Sequence, residues 1–232
     1  MVAKRICVVA NSIKKSNRCI AGREILKKQD GIDYWGNWIR PVSSHDEGAV
    51  SINECRLQDN CVPSPFDLIQ VDCQSCENDP SQPENWLIQS DAKWQKLGSY
   101  DIGVIDDIVE APDDLWLEPF GRQDRVSPTF LTTLDNHQSL YLIKPDNFNF
   151  FIESSWSGGK RVRGVFVYNG TRYDFSMTDP IASKKYCPNL AQQDFGPIYL
   201  NNPDNCYLCI SITPEFKGYH YKIVSTVIEA VS

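Results

Sequence analysis

No apolar run in this chain approaches the roughly 18 residues that span a bilayer. Lys4 and Arg5 precede only a short β-branched stretch, not a signal-peptide core. The expectation is a soluble, cytoplasmic protein with no membrane partner. Histidine is scarce, at 3: His45 lies in a polar loop beside Asp46 and Glu47, His137 in a turn and His220 in a strand. None has a nucleophile's local signature beside it, and no phosphate loop, dinucleotide fingerprint or metalloprotease motif occurs. No catalytic residue and no cofactor are therefore assigned. An enzyme acting on nucleotides is the third reading, and its sign would be His45 or Asp179 in a deep pocket. Basic residues are outnumbered, 23 to 30, for a net charge of −7.

What is present is a hydrophobic share of 41 %, with Trp 6, Tyr 10 and Phe 10. That is enough for packed cores, so global disorder is excluded, and 232 residues suit one large β domain or two small ones. The nine cysteines are odd in number and scattered, as reduced thiols in a bacterial-type cytosol would be. Two Cys-x-x-Cys pairs, Cys73/Cys76 and Cys206/Cys209, invite a zinc site. The second pair alternates within a strand and cannot converge on one ion, and only the first suits a turn, so no metal ligand is assigned.

The net charge hides an asymmetry. Residues 1–40 carry 9 basic and 3 acidic groups, 41–155 carry 6 and 21, and 156–185 carry 6 and 2. Two basic islands flank an acidic middle, and local charge decides what a surface attracts.

Strand patterns dominate. Arg5–Ala10, Trp35–Val42, Phe66–Asp72 and Trp86–Gln89 read as strands of a first half, with one or two helical turns over Arg23–Gln29 before an Asp30-Gly31 turn. Pro41 removes a ladder donor and belongs at an edge or bulge. Asp91–Leu97 reads as a short helix, as does the ambiguous Asp101–Val109, and the polar stretch that follows reads as a connection. In the second half Ser139–Ile143, Phe148–Glu153, Cys206–Thr213 and Tyr219–Ile228 read as strands, and Lys184–Asn205 as turns. The expected division is a first β domain over 1–90, a partly helical connection over 91–135 and a second β domain over 136–232.

The strongest signal is Lys160–Met177, two alternating runs around Asn169-Gly170, the chemistry of a two-residue type I′ turn. That same Asn-Gly-Thr matches a glycosylation acceptor but reads better as this turn. Its register places Val162, Gly164, Phe166, Tyr168, Tyr173 and Phe175 on the core face, and Arg161, Arg163 and Arg172 on the other. Three guanidiniums on an open β face suit phosphate. Pairing with Asp174 is the competing reading.

Cationic and aromatic residues interleave at Arg18 and Arg23 with Trp38 and Arg40, and again at Trp156 with Lys160 and Arg161. Trp38 and Arg40 share a strand face, as a stacking ring beside a phosphate ligand would, or as a core ring covered by an arginine stem.

Lys4-Arg5-Ile6-Cys7 through Ala10-Asn11-Ser12, Arg18–Gly22, Gly36–Ser43, Asp124-Arg125-Val126, Arg161–Tyr173, Thr178-Asp179-Pro180, Cys206-Tyr207-Leu208 and Gly218–Lys222 together resemble bacterial dual OB domain-containing proteins. Cys61, Cys73 and Cys76 stand outside that pattern. The resemblance implies an all-β chain of two OB-type barrels and a genome-defence or nucleic-acid-processing context, with no established catalytic residues. The leading expectation is a non-enzymatic protein that binds single-stranded DNA or RNA, or a nucleotide, through Arg18, Arg23, Trp38, Arg40, Lys160, Arg161, Arg163 and Arg172. The runner-up is a protein-interaction or sensor subunit docking through the acidic 41–155 region.

Overall fold

The computed structural model describes residues 1–27, 33–77, 79–89, 93–135, 137–200 and 205–230. They fall into two compact units, Met1–Ile108 and Val109–Ser232. The first contains β1 (Val2–Lys14), β2 (Asn17–Lys27), β3 (Asp33–Val42), β4 (Asp67–Cys76), β5 (Asn85–Ile88) and β6 (Gln95–Ser99) in the order β1-β2-β3-β5-β4-β6. β1 also pairs with β4, which closes the first five strands into a barrel. At 13 residues β1 is long enough to serve both neighbours, and a bulge between Val8 and Ala10 bends it from one to the other. β3 leaves β2 at Ile39 and runs parallel to β5 over Arg40–Val42. Pro41 sits just past that change of partner, where a missing donor costs least. Between β3 and β4 lies α1 (Ile52–Cys55), capped by Ser51 and Glu54 in a reciprocal capping box.

Two expected helices are strands instead. β2 continues through Arg23 to Lys27, because pairing with β3 satisfies its backbone and places Ile25 inside. Residues 28 and 29 and the Asp30-Gly31 turn lie outside the described residues. Gln95–Ser99 is extended and pairs with β4, and Trp94, 1 % exposed, fills the core with Ile6, Val8, Ile39 and Ile69. Asp91 lies outside the described residues. The Asp101–Val109 segment is helical, as a 3-10 turn over Ile102–Val104 and then α2 (Ile105–Ile108).

The second unit contains β7 (Arg125–Val126), β8 (Leu140–Ile143), β9 (Asn147–Ser154), β10 (Lys160–Tyr168), β11 (Thr171–Met177), β12 (Gly196–Tyr199), β13 (Cys206–Ile212) and β14 (His220–Glu229). The order is β12-β9-β10-β11-β14-β13-β8, with β7 on β14. β8 and β9 are separated only by Lys144-Pro145-Asp146 and act as two halves of one first strand, one on β13 and the other on β10. Counted so, both units repeat one connectivity: strands one, two and three, a short helix, then four and five, with three parallel to five. This is the five-stranded Greek-key barrel of an OB fold. The helix here is α4 (Pro180–Tyr186), and α3 (Pro128–Leu131) precedes β8.

The hairpin of β10 and β11 turns at Asn169 (φ 49°) and Gly170 (φ 72°), and its pairs run from Arg163 with Ser176 to Tyr168 with Thr171. The core face is as the alternation requires: Phe166, Tyr173 and Phe175 are sealed. Residues 91–135 are shared, with Trp94 and β6 in the first unit and Leu115, Trp116, Val126 and Leu131 in the second core. No described helix is long and apolar enough to cross a membrane.

Candidate functional site

In the first unit the expected site residues are drawn inward. Ile39 faces the barrel core, so Trp38 and Arg40 face away from it, yet they are only 3 % and 6 % exposed. Trp38 is thus a covered ring, the second of the two arrangements its strand face allowed: the Arg23 guanidinium lies 5.7 Å over it, and Arg23 Nε donates to the Gly36 carbonyl at 3.0 Å. Arg40 Nη1 donates to Asn85 Oδ1 at 3.2 Å. Arg18 is half-buried and bridges Val50 through both backbone groups. Four more cations of this island meet carboxylates: Lys4 with Glu24 at 2.9 Å, Arg5 with Asp33 at 3.1 Å, and Lys14 and Lys15 with Glu47 at 3.4 and 2.6 Å.

In the second unit the hairpin register is as read, but the arginine face is not open. Arg163 is 8 % exposed; its Nε meets Asp174 at 2.6 Å and its Nη1 donates to Ser176 Oγ at 3.0 Å. Arg161 pairs with Glu153 across β9 and β10 at 2.6 Å. Lys160 donates to the carbonyls of Ala191 and Gln193, with Phe195 4.9 Å from its ammonium. Of the hairpin's cations, Lys160, Arg161, Arg163 and Arg172, the last alone stands exposed with no ion pair among the described residues. The acidic middle thus supplies partners to both islands, Glu47 to the first and Glu153 to the second, which a count by segment does not reveal.

The rings that the expected site residues leave out lie in the loops of the second barrel. The loop from β9 to β10 is closed by Ser155 N donating to the Gly159 carbonyl and Gly158 N to the Ser155 carbonyl, and it holds Trp156 93 % exposed. The loop from β13 to β14 is a tight turn, Phe216-Lys217-Gly218-Tyr219, with Phe216 and Tyr219 bonded through both backbone groups. Phe216 and Tyr219 are 59 % and 41 % exposed, and Lys217 Nζ lies 5.3 Å from the Phe216 ring. Behind them β7 pairs with β14 and brings in Arg125, whose guanidinium lies 5.4 Å from Tyr219 and 5.0 Å from Tyr221. Asp124 fixes it at 3.0 and 3.2 Å. A cavity of about 470 Å³ opens here, lined by Glu118, Phe120, Arg122, Arg125, Ser127 and Tyr219. The signal that could have found it is Phe-Lys-Gly-Tyr read as a turn between two strands, with an aromatic on either side of a cation.

Elsewhere the reactive groups serve structure. Burial pushes the thiols of Cys7, Cys73 and Cys206 up to about 12 and Cys55 up to about 11, which leaves no thiolate at neutral pH. Cys73 and Cys76 lie on β4, not on a turn, and among the described residues no three His, Cys, Asp or Glu side chains converge as metal ligands do. Asp179 is 2 % exposed and accepts the backbone N–H groups of Ile181, Ala182 and Val227, joining α4 to β14. Neither it nor His45 lines the cavity.

Residues 4–227 match the family model of the dual OB-containing domain. No curated protein matches the chain. Among solved structures, a tetrameric p202 HIN2 is 8 % identical, with 99 % of this chain and 92 % of that chain covered, at a TM-score of 0.31. At that score the likeness bears on neither fold nor ligand.

Proposed function

From the premise that this chain belongs to the dual OB-containing domain family, we propose that it is a binding protein for single-stranded nucleic acid, engaged through the loops of its second barrel. One observation carries this reading. OB folds take their ligands against strands two and three and the loops between strands one and two and between four and five. In the second barrel those two loops hold exposed rings, Trp156 on one and Phe216 and Tyr219 on the other, with Lys217 and Arg125 alongside. Rings stack on any base, and cations follow the phosphates. Lys160, at the end of the Trp156 loop, and Arg172, exposed on β11, extend the positive charge.

Fluorescence anisotropy of a labelled single strand tests it, with DNA and RNA probes compared at about 50 and 200 mM salt. The expected result is measurable binding that weakens steeply as salt rises. No binding at the lower salt overturns the reading. Retention of a protein instead, through the acidic 41–155 region, would replace it.

A further inference from the structure

The cavity beside the loop from β13 to β14 is assembled in a way that the general reading does not require. We propose that it is a subsite for one nucleotide of the bound strand, with the base against Phe120 and Tyr219 and its phosphodiester on Arg122. This inference rests on the single-strand reading and adds a place and a stoichiometry to it.

The first argument is Phe120. It is fully exposed, at 109 %, and its φ of 61° is a left-handed conformation that a bulky side chain adopts only at a cost. An apolar ring held out in water by a strained backbone gains nothing for folding. The turn that holds it is fixed from both sides. Gly121 N donates to the Glu118 carbonyl at 3.0 Å, and a Cβ on Gly121 would stand 3.0 Å from Glu118 Cβ. The Glu118 carboxylate accepts from Ser127 N at 2.9 Å and from Ser127 Oγ at 2.6 Å. The backbone at Phe120 is therefore fixed, and a ligand that arrives has only the ring's own side-chain torsions to order.

The second argument is charge. Two carboxylates lie at this site, and both are engaged: Glu118 by Ser127 and Asp124 by Arg125. Arg125 is in turn held over two tyrosine rings. The four charges of the site sum to zero, but Glu118 is turned to the neutral Ser127 groups, and Arg122, exposed and with no ion pair among the described residues, is left open to an anionic ligand. One flat ring and one monoanion is the composition of a nucleotide unit within a strand. The volume of about 470 Å³ lies in the range of small-molecule sites.

The test uses the full chain and a labelled 12-nucleotide thymidine strand, titrated at several salt concentrations against wild type, Phe120→Ala, Phe120→Trp, Arg122→Ala and Arg172→Ala. Both cavity residues are exposed, so circular dichroism should be unchanged. Phe120→Ala should weaken binding about 5- to 100-fold at an unchanged salt slope, with Phe120→Trp restoring it. Arg122→Ala should lower the salt slope by about one. Arg172→Ala, outside the cavity, should not reproduce the Phe120 loss. If wild type binds and both cavity variants match it, the subsite is wrong and the single-strand reading stands. If wild type does not bind even at low salt, the reading fails and the subsite with it.

Discussion

In the first barrel Lys4, Arg5, Lys14 and Lys15 each end on a carboxylate, and Trp38 lies buried beneath Arg23. In the second, Trp156, Phe216, Tyr219 and Phe120 stand in solvent, with Arg122, Lys217 and Arg172 near them on the chain. The first unit holds the more basic stretch by sequence, residues 1–40, and four of the cations there are answered by its own carboxylates. The second keeps less charge but leaves its rings and several cations open. Two barrels of one connectivity therefore differ in what they offer a ligand, and the difference lies in loops and long-range ion pairs.

The largest expected effect separates the barrels by how tightly they close. A Cβ on Gly22 would fall 2.0 Å from the Cys7 carbonyl oxygen, which a paired strand cannot move. Gly22→Ala should cost about 3 kcal/mol or more and unfold the first unit early in a thermal scan. On Gly164 a Cβ would meet the Val224 side chain at 2.8 Å and the Phe148 ring at 3.0 Å, both able to shift. Gly164→Ala should cost about 1–2 kcal/mol. Equal losses would break the contrast.

A second effect separates them by pH. Lys222 is 1 % exposed with its ammonium on the Trp116 carbonyl at 2.8 Å, and burial brings its pKa down from 10.5 to about 8. Between those values the unfolded chain holds more protons than the folded one, so the second unit should gain stability as pH rises from about 8. The gain should be on the order of 1 kcal/mol by pH 9. In the first unit Cys7 and Cys73 are raised from 9.0 to about 12, so stability there should fall as pH rises above 9, while in the second Cys206, raised likewise, offsets only part of the Lys222 gain. Urea unfolding from about pH 7.5 to about 10 checks this, and Lys222→Met should flatten the rise.

The smallest effect concerns the hairpin. Arg161 and Glu153 are each about one-third exposed, at 34 % and 32 %, so Arg161→Ala should change stability by less than about 1 kcal/mol. Because Glu153 already answers it, the same variant should change oligonucleotide affinity less than about twofold, read in the same titrations. A larger loss of affinity would return the hairpin face to the site.

The hairpin was legible because its information is local: Asn169-Gly170 sets the turn, and a period of two sets both faces. The fate of the arginines on that face was not, since Glu153 comes from the preceding strand and Glu47 lies about thirty residues from the lysines it pairs with. Alternation told that Trp38 and Arg40 share a face but not whether that face is covered. β2 and β6 looked helical because pairing with distant strands outweighs local propensity. Phe120 sits in a stretch without periodicity, and only the folded turn shows that its ring is held outward.

The second barrel's loops, not the first barrel's basic strands, are where we propose that the ligand binds. Anisotropy of a single-stranded probe at low salt should show the Trp156→Ala/Tyr219→Ala double variant binding at least about 10-fold more weakly than wild type. The first-unit counterpart, Lys15→Ala with Tyr34→Ala, the latter a ring 41 % exposed on β3, should stay within about twofold. An unchanged double variant in the second unit, or an equal loss in the first, would contradict the account.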